Sequence, residues 1–213
     1  MKKTAVVLSL AGVIILTLTG WSVYNFLGKG IDNSSRFGKD IYQVGKTEGF
    51  NDLKEVENAA DEIVIAEKTY ENASTVLYTK YGGEERIAIA YTLSDFKVDK
   101  VIHGDHLKTG ETFTILENEA YNKKQKVTYH IAGYNMMRQG TKYLLFLEQS
   151  ETDPYYLVVG VNFGKVDLER SETDPPKGLQ ESTKGSAQVI LEAHEQHEKI
   201  RESAKKKYAE FIE

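Results

Sequence analysis

The feature that most constrains this chain is its first apolar run, Ala5 to Leu27, which carries no charge from end to end. At ~1.5 Å rise per residue a helix of that length reaches ~34 Å, more than the roughly 30 Å hydrocarbon core of a bilayer. Lys2 and Lys3 precede the run, as in a secretory signal, but a signal's apolar stretch is typically only about 7–15 residues and ends in a small-x-small cleavage site. The best such sites are Gly20-Trp21-Ser22 and Thr17-Leu18-Thr19; Trp21 crowds the first, and threonine is an indifferent substitute for alanine in the second. Trp21, Tyr24 and Phe26 cluster at the outer end, where amphipathic rings sit at a membrane interface. The run is therefore expected to be a single-pass anchor in the cell membrane, with 1–4 cytoplasmic and the main domain outside. Cleavage would instead give a secreted protein.

The charge balance of 27 basic against 32 acidic residues hides an asymmetry, because residues 1–30 hold Lys2, Lys3 and Lys29 and no acid. The remainder is correspondingly acidic and repels phosphates, so no nucleic-acid partner is expected. Cysteine is absent. That removes disulfides, thiol catalysis, cysteine zinc sites and the lipid-modified cysteine of a lipoprotein.

Residues 28–50 mix Gly, Ser, Asn, Lys and Asp without a period and read as a juxtamembrane linker. A β domain is expected over 51–170, a Pro- and Gly-rich linker over 171–186, and a C-terminal amphipathic helix over 187–213. Within the β domain, Leu53, Val56 and Ala60 fall at helical spacing before Ile63-Val64-Ile65 opens a strand. Gly82-Gly83 predicts a two-residue hairpin turn that pairs Tyr81 with Glu84, Tyr78 with Ile87 and Val76 with Ile89. Downstream the apolar set Ile87, Ile89, Tyr91, Leu93 changes parity to Phe96 and Val98, which predicts a bulge near Ser94-Asp95 that bends the strand around a barrel. Tyr143 to Leu147 and Tyr156 to Val161 are continuous apolar runs expected to be covered on both faces. In the last helix Ile190, Ala193, His197, Ile200, Ala204, Tyr208 and Phe211 form a narrow stripe, fit to lie on the barrel or to drive self-association.

Three phrases carry a resemblance. They are Ala60-Asp61-Glu62-Ile63-Val64-Ile65-Ala66, then Tyr91-Thr92-Leu93-Ser94-Asp95-Phe96-Lys97-Val98-Asp99-Lys100-Val101-Ile102, and Gly140-Thr141-Lys142-Tyr143-Leu144-Leu145-Phe146-Leu147, with Gly104-Asp105 and Lys108-Thr109-Gly110 between the last two. Taken together, 60–164 resembles the small exported β-barrel domains with an OB-like fold of Firmicutes surface proteins, related in shape to the barrel of tissue metalloproteinase inhibitors and netrins. The resemblance implies a mainly β protein with a closed or partly open OB-like barrel. It implies no reaction, and the cysteine-bearing N-terminus that metalloproteinase inhibitors use is absent.

The search for chemistry nominates no catalytic, cofactor-binding or metal residue. With only 5 histidines, His103-Gly104-Asp105-His106 is the first place to look, two imidazoles and a carboxylate that could hold a metal if they converge, against the alternative of a solvated turn. His194 and His197 are three apart, whereas a zinc-protease helix needs four. His130 reads as packed or surface-exposed, and Glu117 and Glu119 as a solvated strand end rather than the paired carboxylates of glycoside hydrolysis. No Gly-x-Ser-x-Gly elbow or phosphate loop occurs. The 13 tyrosines, with Tyr121, Tyr129, Tyr134, Tyr143, Tyr155 and Tyr156 in the second half, are expected to be mainly structural; an exposed aromatic face would suit a protein or glycan partner. The expected role is a non-enzymatic accessory or interaction function at the cell envelope. The alternative is a metal-dependent envelope hydrolase using His103, Asp105 and His106.

Overall fold

A computed structural model describes residues 38–43, 45, 48–169 and 184–212, with side chains of the last helix from residue 193 onward. The anchor expected over Ala5 to Leu27 and most of the linker expected over 171–186 lie outside the described residues. Among those described, no helix is long and apolar enough to cross a membrane.

Five strands close into a barrel. They are β2 (Glu62–Glu71), the barrel half of β4 (Glu84–His103), β5 (Thr112–Glu117), β8 (Lys142–Gln149) and β9 (Tyr156–Val158). Strand β2 pairs antiparallel with β4 and with β8, β4 with β5, and β8 with β9; a parallel β5–β9 pairing completes the ring. The strand β10 (Lys165–Asp167) extends the sheet beyond β8. A second sheet has the order β1 (Lys39–Gln43), β7 (Val127–Ile131), β6 (Glu119–Asn122). The stretch expected as linker therefore contributes a strand to the domain: β1 runs parallel to β7, with Ile41 opposite Tyr129.

The apolar runs behave as their composition demands. In β2, Val64 and Ala66 face the barrel interior with Phe96, Val98, Ile115, Leu145 and Leu147, while Ile63 and Ile65 pack outward with Leu144 and Phe146. Burial of each such side chain contributes roughly 1.5–3 kcal/mol. The outward layer is sealed by two helices. Helix α1 (Leu53–Ala59) starts where the Asp52 carboxylate accepts from the Glu55 N–H at 3.0 Å, and it buries Leu53 and Val56. The C-terminal helix α2 (Lys184–Lys207), followed by the short α3 (Ala209–Ile212), lays Ile200, Ala204 and Tyr208 on the same layer. Ile200, Ala204 and Tyr208 of the narrow stripe are thus covered by the barrel layer. Polar contacts fix it there: Lys207 Nζ reaches Glu57 at 2.7 Å, and Tyr208 OH donates to Glu57 Oε1 at 2.8 Å. Strand β9 ends at Val158, short of the expected Val161, whose φ of 67° places it in a turn.

Strand β4 corrects two register expectations. The turn glycines take φ 62° and 85°, and Tyr81 opposes Glu84 and Tyr78 opposes Ile87 as expected. An irregularity between Leu77 and Tyr78 then shifts the ladder, so that Val76 faces Ala90 and Leu77 faces Ile89. Further along, no parity change occurs near Ser94-Asp95. Strand β4 buries Ala90, Thr92, Ser94, Phe96 and Val98 on one continuous face, and its register with β5 is unbroken from Thr92 to Lys97. The extra residue lies across the ladder in β2, between Lys68 and Tyr70, with two further shifts between Ile63 and Val64 and between Ile65 and Ala66. These bulges bend the β2–β4 pair around the barrel. The apolar pattern misleads because two inward positions, Thr92 and Ser94, are polar.

Candidate functional site

The turn after β4 is built on a residue far from it in sequence. Glu62, fully buried at the start of β2, accepts from the backbone N–H groups of Asp105 at 2.9 Å and His106 at 2.8 Å, both through Oε1. His106 Nδ1 lies 3.2 Å from the same oxygen and 3.6 Å from Asp105 Oδ1. Gly104 makes this approach possible. Its φ is +101°, and a Cβ there would fall 2.3 Å from the Glu62 carboxyl carbon. One donor atom each from Glu62, Asp105 and His106 lie within 4.8 Å of one another. His103 does not join them. It lines an open cleft of about 480 Å³ with Glu57, Ile102 and Tyr208. The set weighed for a hydrolase, His103 with Asp105 and His106, is therefore not the set that converges; Glu62 stands in place of His103.

A second cluster is entirely internal. Lys68 and Glu117 are both fully buried, with Nζ 2.5 Å from Glu117 Oε2 and 2.8 Å from the Met137 carbonyl. Ser94 Oγ donates to the same carboxylate oxygen, while Oε1 accepts from Tyr134 OH at 3.1 Å and from the Met137 N–H at 2.7 Å. Burial first, then the Glu117 charge, pushes the Tyr134 hydroxyl well above its ordinary pKa. Glu119 Oε2 accepts from the next amide, Met136 N–H, at 2.8 Å and lies 3.1 Å from His130 Nδ1. Glu117 and Glu119 are thus not a solvated strand end. Each holds one of two consecutive amides of the loop that leads into β8, Glu117 that of Met137 and Glu119 that of Met136.

The two buried histidines differ in what surrounds them. His130 stacks on Tyr42 at 4.5 Å and has acceptors at both nitrogens, the Tyr134 carbonyl at 2.9 Å and Asp40 Oδ1 at 3.3 Å. Burial alone would lower its pKa; Glu119, the Tyr134 carbonyl and Asp40 outweigh it and hold the imidazole above its ordinary value. His197 packs edge-on against Phe163 at 4.1 Å, and burial together with the Arg201 charge pushes it down to about 3. His194 and His197 share no metal site among the described residues.

The aromatic surplus is mostly structural. Tyr129, Tyr134, Tyr143 and Tyr156 are buried, and Tyr121 and Tyr155 are half-buried. The exposed aromatic face falls in the first half instead. Strands β3 (Thr75–Tyr81) and β4 form an arm whose inner face, Val76, Ile87 and Ala90, packs on Ile41, Ala120 and Tyr129 of the small sheet. Its other face is exposed among the described residues. The cross-strand pair Leu77 and Ile89 is 52% and 46% exposed and Tyr81 at the tip 71%; Tyr70, on barrel strand β2, is 54% exposed. Among the described residues β3 exchanges ladder bonds with β4 alone.

Fold and site together define a closed five-stranded β-barrel that carries a small second sheet, a projecting apolar arm and a C-terminal helix. No known protein-family model matches the chain, and no curated protein does.

Proposed function

We propose that this protein is a membrane-tethered, extracytoplasmic barrel of OB-like type with a non-enzymatic interaction role at the cell envelope, and that the β3–β4 arm is the surface it presents. One observation carries the reading: of the four large apolar side chains exposed among the described residues, Leu77, Tyr81 and Ile89 belong to the arm, and the fourth, Tyr70, lies on barrel strand β2 opposite Asp95. Clustered apolar exposure of this kind is characteristic of interaction sites. The edge of β3 adds main-chain donors and acceptors beside it, the combination by which an extended polypeptide joins a sheet. These features favour a protein partner over a glycan. The apolar run Ala5 to Leu27 supports the tether, and the ring order, in which the first, second, third, fifth and fourth barrel strands follow one another, supports the OB-like reading. A structural rather than catalytic part for Glu117 is supported by its donors, which occupy both carboxylate oxygens.

The test is crosslinking on intact cells with the wild-type chain and with the double variant Leu77→Lys/Ile89→Lys. The expected result is a defined protein adduct whose recovery falls at least about tenfold in the variant, the effect of losing interface anchors worth roughly 1.4 kcal/mol or more. Equal recovery from both chains would contradict the reading, as would a glycan adduct or none at all.

A further inference from the structure

We infer that Glu62, Asp105 and His106 form a binding site for a divalent cation of the zinc class. The turn is held by one carboxylate oxygen only: Glu62 Oε1 takes the two backbone N–H groups, while Oε2 is buried without a hydrogen-bond partner. A buried carboxylate oxygen left unpaired carries a desolvation cost that a backbone anchor does not require. An amide side chain would accept the same two N–H bonds with no buried charge. Glutamate is the residue that also attracts a cation.

The geometry fits an ion. Atoms bound about 2.0–2.1 Å from a tetrahedral zinc lie about 3.3 Å apart, and His106 Nδ1 stands 3.6 Å from Asp105 Oδ1 and 3.2 Å from Glu62 Oε1, the amide-bonded oxygen of the carboxylate whose other oxygen is unpaired. One imidazole and two carboxylates match the nitrogen and oxygen donors that zinc accepts, and two carboxylates neutralise its charge. Asp105 and His106 are exposed, so they can close on an ion arriving from solvent, while buried Glu62 supplies the fixed ligand. Gly104 keeps that fixed ligand within reach of the turn. Three protein ligands leave the fourth position to water. The inference is independent of the arm, since a barrel with no envelope partner can still bind the ion.

The test is calorimetric titration of the full-length chain, stripped with chelator and held in detergent, with zinc chloride alone. One zinc per chain is expected, with an affinity that falls at least about tenfold in Asp105→Ala and in His106→Ala, and a thermal midpoint raised by zinc more in the wild type than in those two variants. His103→Ala is expected to bind as the wild type does. Glu62→Gln is expected to lose binding, and because that variant can also lose the turn, the two exposed variants decide the matter. Absence of saturable binding, unchanged affinity in both exposed variants, or a loss in His103→Ala would overturn the assignment.

Discussion

The barrel body and the β3–β4 arm share one strand and treat it in opposite ways. From Thr92 to Val98 each second residue of β4 is buried, even where it is Thr92 or Ser94, because closure of the ring leaves no solvent on that side. A few residues earlier the same strand leaves Ile89 beside Leu77 in water. Burial here follows from topology rather than from side-chain polarity: the ring buries polar residues and satisfies them internally, and the arm, packed on one side only, exposes apolar ones. If the contrast holds, substitutions in the body should cost stability and substitutions on the arm's bare face should not.

The largest effect is expected at Glu117. In Glu117→Ala, buried Lys68 loses its nearer carboxylate and keeps Glu71 at 3.4 Å, and chemical denaturation should register a loss of about 3 kcal/mol. The double variant Lys68→Met/Glu117→Leu should recover part of it, since the Lys68–Glu117 pair is then gone from both sides while Glu71 loses its Lys68 contact. A single variant as stable as the wild type would mean that the network does not hold the barrel end. Next comes Ile200→Ala, which removes a buried side chain between α2 and the outer layer and should lower stability by about 2–4 kcal/mol. No change would mean that the helix does not pack on the barrel in solution.

Acid sensitivity separates the two histidines. His197 has a folded pKa near 3 against about 6.5 unfolded, so the unfolded chain takes up a proton that the folded chain refuses as pH falls between those values. Stability should drop across that window by up to roughly 1.4 kcal/mol per pH unit, and His197→Leu should remove that component of the slope. His130 has the opposite sign. Its folded pKa is raised, so its contribution is fully present below about pH 6.5 and fades as pH rises through the folded value. His130→Gln should therefore differ from the wild type most at low pH and least at high pH, as read by thermal unfolding. The smallest effect is expected on the arm: Leu77→Lys and Ile89→Lys should each change stability by no more than about 0.5 kcal/mol.

How much of this was legible beforehand depends on the reach of each interaction. Ile63 to Ala66 and Tyr143 to Leu147 announce strands covered on both faces, and Gly82-Gly83 announces the turn, because those signals are local. The burial of Glu117 is not local; its cation, Lys68, is 49 residues away. Glu62 is 43 residues from the turn it holds, whereas sequence adjacency points to His103 as the neighbour of Asp105 and His106. Strand β1 escaped notice because Ile41 and Tyr42 show no alternation and its pairing to β7 is parallel and distant. The displaced bulge has the same origin. Ser94 points inward to a polar cluster assembled from Lys68 and Glu117, and buried Thr92 donates to the Glu119 carbonyl; an apolar pattern cannot reveal a polar interior.

The most direct test of the arm as the recognition surface is a photocrosslinking residue placed singly at Leu77, at Ile89 and at exposed Lys54 of helix α1, then activated on intact cells. A common protein adduct is expected from the Leu77 and Ile89 positions and none from Lys54. An adduct from Lys54 with none from the arm would contradict the account.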